Sequence, residues 1–164
     1  RGYRRVHIPA DRLLSGGKFN TGSDAMMMDY LWTLYCQTPY LMIDSLQTGR
    51  EQVLLGTEEL ILEDIRQKIS CQMGRILKEL IDRGADACFM IIGGDTLLAF
   101  MDSIGCHELT PVCELQPGVV LSRIAYRGRE YEIISKSGGF GEEDLLVTLK
   151  GETEPLNQAQ FAGA

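Results

Sequence analysis

The chain predicts a three-layer α/β fold, a mostly parallel sheet flanked by helices with a β-hairpin near the C-terminal end. Three observations carry this expectation. Short apolar runs alternate along the chain with longer segments of helical period. Two glycine-rich turns, Gly93-Gly94-Asp95-Thr96 and Lys136-Ser137-Gly138-Gly139-Phe140-Gly141, each join a strand-like run to a helix-like one. Between them, Val119 to Tyr126 and Glu130 to Lys136 alternate with period two on either side of Arg127-Gly128-Arg129, the pattern of a hairpin.

Each element has its own signal. Val6 and Ile8 alternate with polar neighbours ahead of Pro9, and Asp11 to Leu14 forms a short helix stopped by Gly16-Gly17. Ser23 caps a helix through Gln37, whose Met27, Leu31, Leu34 and Tyr35 recur at three- and four-residue spacing before Pro39 ends it. Tyr40-Leu41-Met42-Ile43 reads as a buried parallel strand whose carboxyl end reaches a loop at Asp44-Ser45. The strongest helix runs from Glu58 to Arg83, with Ile61, Ile65, Ile69, Met73, Ile76, Leu77 and Leu80 on one stripe and Gly84 as its stop. Ala87 to Ile92 is a continuous apolar strand, expected to be covered on both faces. A helix from Thr96 to Ile104 follows, ended by Gly105. Glu108 to Glu114 is extended, Pro117-Gly118 makes a turn, and Glu142 to Leu149 is helical.

At 164 residues the chain fits one domain, able to bury about two-thirds of its unfolded surface without disulfides or metal. Residues 1–150 hold every predicted element, and 151–164 read as a polar tail. The 16 basic and 23 acidic residues give a formal charge of -7, which disfavours broad contact with nucleic acid or anionic lipid and confines any anion site to a local patch. Five cysteines without a C-x-x-C pair read as buried thiols of a reducing, cytoplasmic compartment. The sequence shows no apolar run near the ~18 residues of a membrane span. Arg1-Gly2-Tyr3-Arg4-Arg5 runs directly into a strand, as expected of a piece of a longer protein.

The chemistry concentrates in the two glycine turns. A helix N-terminus leaves N–H groups unpaired and carries partial positive charge, and glycine lets an anion approach the backbone closely. In the first turn, Thr96 suits a helix cap or a phosphate contact, and Asp95 suits Mg²⁺ or general-base work. The competing reading is an ordinary strand-to-helix connection with Asp95 as N-cap. The second turn packs three glycines, a hydroxyl and the Lys136 cation into six residues, a density that a simple connection does not require. Ser15-Gly16-Gly17-Lys18 and Thr21-Gly22-Ser23 lack the order of G-x-x-x-x-G-K-[ST] and read as a surface turn. A G-x-G-x-x-G dinucleotide fingerprint and a G-x-S-x-G elbow are both absent. His7 and His107 stand alone, without Cys, Asp or Glu at metal-ligand spacing. Met26-Met27-Met28 and Trp32 read as core or interface.

The ordered set Gly93-Gly94-Asp95-Thr96, Pro117-Gly118-Val119, and Lys136-Ser137-Gly138-Gly139-Phe140-Gly141 followed by Asp144 resembles the four-carbon acid sugar kinase family. Nearly the whole chain is similar to that family's C-terminal nucleotide-binding domain. The resemblance implies transfer of the γ-phosphate of ATP, with Mg²⁺, to a hydroxyl of a sugar acid of threonate, erythronate or 3-oxo-tetronate type. It implies nucleotide contacts at Gly93, Gly94, Asp95 and Thr96, with Lys136, Ser137, Gly138, Gly139, Phe140 and Gly141 closing over the nucleotide. Asp95 is the local candidate for magnesium and for the catalytic base. Acid-sugar recognition falls to the family's N-terminal domain, which this sequence does not contain, and a first strand with its serine loop is expected upstream of Arg1. Two other readings compete: a non-catalytic oligomeric or ligand-sensing module of the same fold, and an enzyme using another phosphorylated cofactor such as NADPH or coenzyme A.

Overall fold

Ten elements follow in the order β1 (Arg4–His7), α1 (Ala10–Leu14), α2 (Gly22–Gln37), β2 (Leu41–Asp44), α3 (Leu62–Asp82), β3 (Phe89–Ile92), α4 (Gly94–Ile104), β4 (Thr110–Gln116), β5 (Val119–Tyr126) and β6 (Arg129–Lys136) in the computed structural model. The structure describes residues 3–15, 22–45, 62–138 and 144–149, the last a short helical segment over 145–149. The predicted helix start at Glu58, the residues at 142–143 and the 151–164 tail lie outside the described residues.

The class is α/β in three layers, but the sheet is mixed rather than mostly parallel. β1 and β2 pair parallel in a two-stranded sheet, and a four-stranded sheet has the order β3-β6-β5-β4. Within it β3 and β6 are parallel, while β6–β5 and β5–β4 are antiparallel. The reason is the hairpin. β5 and β6 are joined by Arg127 (φ 50°) and Gly128 (φ 76°), the pair of positive φ values of a type I′ turn that matches strand twist. A tight turn can only reverse the chain, so only β6 is left to lie parallel to β3.

Strand alternation sorts the core. Ile91, Ile124, Tyr131 and Ile133 face α3 and α4, joining Ile81, Phe100 and Ile104. On the opposite face Val119 and Ile134 pack with Leu145 and Leu149, with Met90 and Leu121 beside them. The four-stranded sheet is thus the middle layer.

α3 explains its own sequence by carrying two adjacent stripes. Ile69, Met73, Ile76 and Leu80 pack toward Ile8, Leu13, Met28 and Leu31 of the β1–α1–α2 region. The neighbouring stripe, Ser70, Gly74, Leu77 and Ile81, meets α4 and the sheet. At Gly74 an added Cβ would lie 2.6 Å from the Phe100 nitrogen, so the α3–α4 crossing requires glycine. Gly84 (φ 103°) follows α3 and Gly105 (φ 65°) ends α4, as predicted.

Several expectations are corrected. Ile92 is 50% exposed, so β3 is not covered on both faces at its carboxyl end, where the covering segment 145–149 packs on Met90 and Ile134 instead. The cysteines are free, but Cys36, Cys71 and Cys113 are exposed; Cys36 and Cys71 occupy outward positions of α2 and α3, and Cys113 lies on β4, the edge of the sheet. The methionine run divides by helical phase: Met28 is buried, Met27 lies against the core and Met26 is exposed. His7 is not alone, because parallel pairing of β1 with β2 sets it opposite Asp44, whose carboxylate oxygen lies 3.2 Å from Nδ1. Among the described residues no helix is long and apolar enough to cross a membrane.

Candidate functional site

The parallel pairing of β3 with β6 sets Ile92 opposite Lys136, so the strands end together and the two glycine turns emerge side by side. The Gly93 N–H donates to the Lys136 carbonyl at 2.9 Å, and the Ser137 N–H donates to the Gly118 carbonyl at 3.4 Å. Three turns far apart in sequence, at Gly93, Gly118 and Lys136-Ser137, therefore meet at one edge of the sheet. That edge is the carboxyl end of a parallel strand pair, where open α/β sheets bind ligands.

α4 begins at this edge. Gly93 (φ 101°, ψ 127°) is its N-cap, with no side-chain cap, and its carbonyl accepts the first intrahelical bond from Leu97 N–H at 3.2 Å. Asp95 is not the N-cap: it lies in the first helical turn with its side chain exposed. The helix starts earlier than its predicted Thr96 because the chain is redirected at Gly93, which takes the positive φ (101°) open to glycine. The N–H groups of Gly94, Asp95 and Thr96 lie in the first turn, beyond reach of any intrahelical acceptor. A Cβ built on Gly94 meets nothing within 4 Å, which leaves open space beside these donors.

Thr96 turns inward, and its Oγ1 lies 3.5 Å from Ser70 Oγ of α3. Ser70 is buried, 8% exposed, and sequence reasoning missed it because the contact joins two helices 26 residues apart. Lys136 Nζ folds back onto its own turn, donating to the Ser137 carbonyl at 3.2 Å and the Gly138 carbonyl at 3.3 Å. Lys136, Ser137 and Gly138 thus join Gly93, Gly94, Asp95 and Thr96 in one patch, while Gly139, Phe140 and Gly141 lie outside the described residues. Asp95 is the one acidic side chain of the first turn of α4, and among the described residues no group of three or more His, Cys, Asp or Glu is arranged to hold a metal ion.

A groove of ≈ 860 Å³ lies elsewhere. It is lined by Cys106 and His107 after α4 and by Arg123, Tyr126, Arg127 and Glu130 of the hairpin, at the other end of β5 from Val119. It contains neither glycine turn nor a helix start, and the anion-binding chemistry favours the strand-end patch over this groove.

The fold and this patch define an α/β domain with backbone donors gathered at the ends of parallel strands. A family model described as nucleotide-binding C-terminal domain matches residues 32–146, and the chain belongs to this family, the C-terminal domain of the four-carbon acid sugar kinases. A comparison with curated proteins finds no match. Among solved structures, the chain is similar to a DUF1537 protein of Bordetella bronchiseptica, solved with bound citrate as a domain-swapped dimer (TM-score 0.56, 20% identity, 90% of this chain and 32% of that one). It is also similar to a DUF1537 protein of Haemophilus influenzae (TM-score 0.65, 14% identity, 91% and 34%), and to a Salmonella typhimurium LT2 protein (TM-score 0.66, 16% identity, 92% and 35%). The chain spans about a third of the length of these proteins.

Proposed function

We propose that this chain is the ATP-binding part of a kinase that phosphorylates a four-carbon sugar acid, of threonate, erythronate or 3-oxo-tetronate type. The observation that carries this reading is the Gly93 N–H to Lys136 carbonyl bond of 2.9 Å, which holds the two glycine turns together beside an uncapped helix start. Phosphoryl transfer is mostly positioning and charge neutralisation, and the patch has groups for both. The N–H groups of Gly94, Asp95 and Thr96 would receive phosphate oxygens, with Gly94 admitting them close to the backbone. Lys136, on leaving the carbonyls of its own turn, would place a cation on the same oxygens. Asp95 fits a magnesium ion held by one carboxylate, phosphate oxygens and water, the usual sharing for Mg²⁺ on a nucleotide; the ion would neutralise charge and orient the γ-phosphate. Asp95 is also the candidate base for the sugar hydroxyl. Sugar-acid recognition belongs to a companion domain, and five unpaired cysteines suit a reducing cytoplasm.

Calorimetric titration with ATP, ADP, NADPH and coenzyme A tests the nucleotide, and phosphorus NMR of ATP mixed with each candidate acid tests the reaction on the longer protein. The reading expects binding of the adenosine phosphates with magnesium dependence. Preference for NADPH or coenzyme A would replace it with the other phosphorylated-cofactor reading.

A non-catalytic oligomeric or ligand-sensing module of the same fold is the second reading. Met26 (74% exposed) and Tyr30 (49% exposed) lie one turn apart on α2 as an apolar pair facing outward, and the Bordetella protein is described as a domain-swapped dimer. Light scattering with and without ATP separates the two: a stable oligomer indifferent to nucleotide supports the non-catalytic module.

A further inference from the structure

Ser70 sits on the α3 stripe that faces α4, where Gly74, Leu77 and Ile81 are the other members. A hydroxyl is costly there. Alanine would fill the same space, favour the helix more and bury no polar atom. The structure gives Ser70 Oγ one partner on another element, the Thr96 hydroxyl at 3.5 Å. Just below, Gly74 lets the α4 backbone at Ala99 and Phe100 approach to a distance that excludes a Cβ, and Ser103 Oγ lies 3.5 Å from the Gly74 carbonyl. The second turn of α4 is therefore held against α3 by backbone contact, and the Ser70–Thr96 pair lies one turn nearer the glycine turns.

We propose that Ser70 is a positioning residue of the phosphate site, acting through Thr96; the inference rests on reading the Gly93–Thr96 turn as a phosphate site. Each hydroxyl has one proton and two lone pairs. Without ligand, Thr96 Oγ1 donates to Ser70 Oγ. With a phosphate oxygen at the helix start, Thr96 turns its proton to that oxygen, and Ser70 rotates its own proton to donate to Thr96 Oγ1. The hydrogen bond between the two hydroxyls reverses its direction, no covalent bond is broken and no proton is gained or lost, and Ser70 keeps the Thr96 oxygen satisfied and in one rotamer while its proton serves the ligand.

The test is a double-mutant cycle on the 164-residue chain, titrated with ATP and magnesium, with the melting temperature of each variant taken without nucleotide. Ser70→Ala raises Kd about three- to tenfold, the scale of one hydrogen bond, and leaves the melting temperature unchanged or higher. Thr96→Val raises Kd at least as much, Thr96→Ser binds like the wild type, and the double variant Ser70→Ala/Thr96→Val binds like Thr96→Val alone. An unchanged Kd in Ser70→Ala beside a weakened Thr96→Val overturns the positioning role while leaving the phosphate site standing. Losses that add in the double variant, or a Ser70→Ala melting temperature that falls in step with affinity, also overturn it. A wild-type chain that ignores ATP, or a Thr96→Val variant that binds normally, removes the phosphate reading and this inference with it.

Discussion

At Gly74 a methyl group would sit 2.6 Å from the Phe100 nitrogen and 2.8 Å from the Ala99 carbonyl carbon, both backbone atoms that cannot step aside, whereas at Gly94 it would meet nothing within 4 Å. Substitution at the two glycines should therefore separate folding from ligand binding. Gly74→Ala pushes α4 off α3 and is expected to cost about 1–3 kcal/mol in urea unfolding. Gly94→Ala, at the start of a helix, should leave stability unchanged or slightly raised while filling the space a phosphate would use. The cysteines give a second contrast at this scale. Burial, with a smaller contribution from the Glu132 charge, pushes the Cys88 thiol up to about 11, and a thiol reacts as its thiolate. Alkylation at pH 8 followed by mass spectrometry should modify the exposed Cys36, Cys71 and Cys113 and leave Cys88 untouched until the chain unfolds.

Among the elements, the far end of α3 and the tip of the β5–β6 hairpin are joined by one carboxylate. Asp82 accepts from Lys78 Nζ and from the Tyr126 hydroxyl at 3.0 Å, and it forms an ion pair with Arg127 Nη1 at 3.0 Å. Arg127 in turn lies over the Tyr126 ring, 5.2 Å from its centroid. Burial alone would raise the Asp82 carboxyl, but the hydrogen bonds of Lys78 and Tyr126 and the charges of Lys78 and Arg127 outweigh it and hold the pKa below its ordinary value. A carboxylate depressed in the folded state adds stability above its unfolded pKa of about 3.9, and that stability is lost as pH falls through the lower folded value. Asp82→Asn is thus expected to destabilise by about 1–2 kcal/mol at pH 7. Its deficit relative to the wild type should shrink in urea titrations as the pH is taken below 4.

The elements most legible in the sequence are those fixed by local chemistry. Gly84 and Gly105 announce the helix ends, and Arg127-Gly128 announces the hairpin turn; each takes the predicted conformation because a single residue's φ decides it. What local pattern does not encode is pairing across the chain. β6 joins β3 in parallel over a separation of more than 40 residues, so the mixed sheet is visible only after folding. Ser70 carries no signal of its partner, and His7 carries none of Asp44, because in both pairs a different element supplies the second group. The competing reading of Asp95 as an N-cap fails for the opposite reason: an aspartate suits a cap, but Gly93 already occupies the position through its backbone.

For the molecule as a whole, the glycine turns read from the sequence converge at one sheet edge because a parallel strand pair ends there, and the Gly118 turn joins them through Ser137. The chain belongs to a nucleotide-binding domain family and spans about a third of the length of similar solved proteins, so a companion domain that presents the sugar acid to this patch is the arrangement the proposal requires. The most direct test of the account is a thermal-shift titration of the chain with ATP and MgCl₂, comparing the wild type with Gly94→Ala and Lys136→Met. At a hundredfold excess over Kd the wild type should gain about 2.7 kcal/mol, and both variants should melt like the wild type without ligand but lose the gain. A wild type that gains nothing from ATP, or variants that keep the full gain, would contradict the claim that the two glycine turns form one nucleotide site.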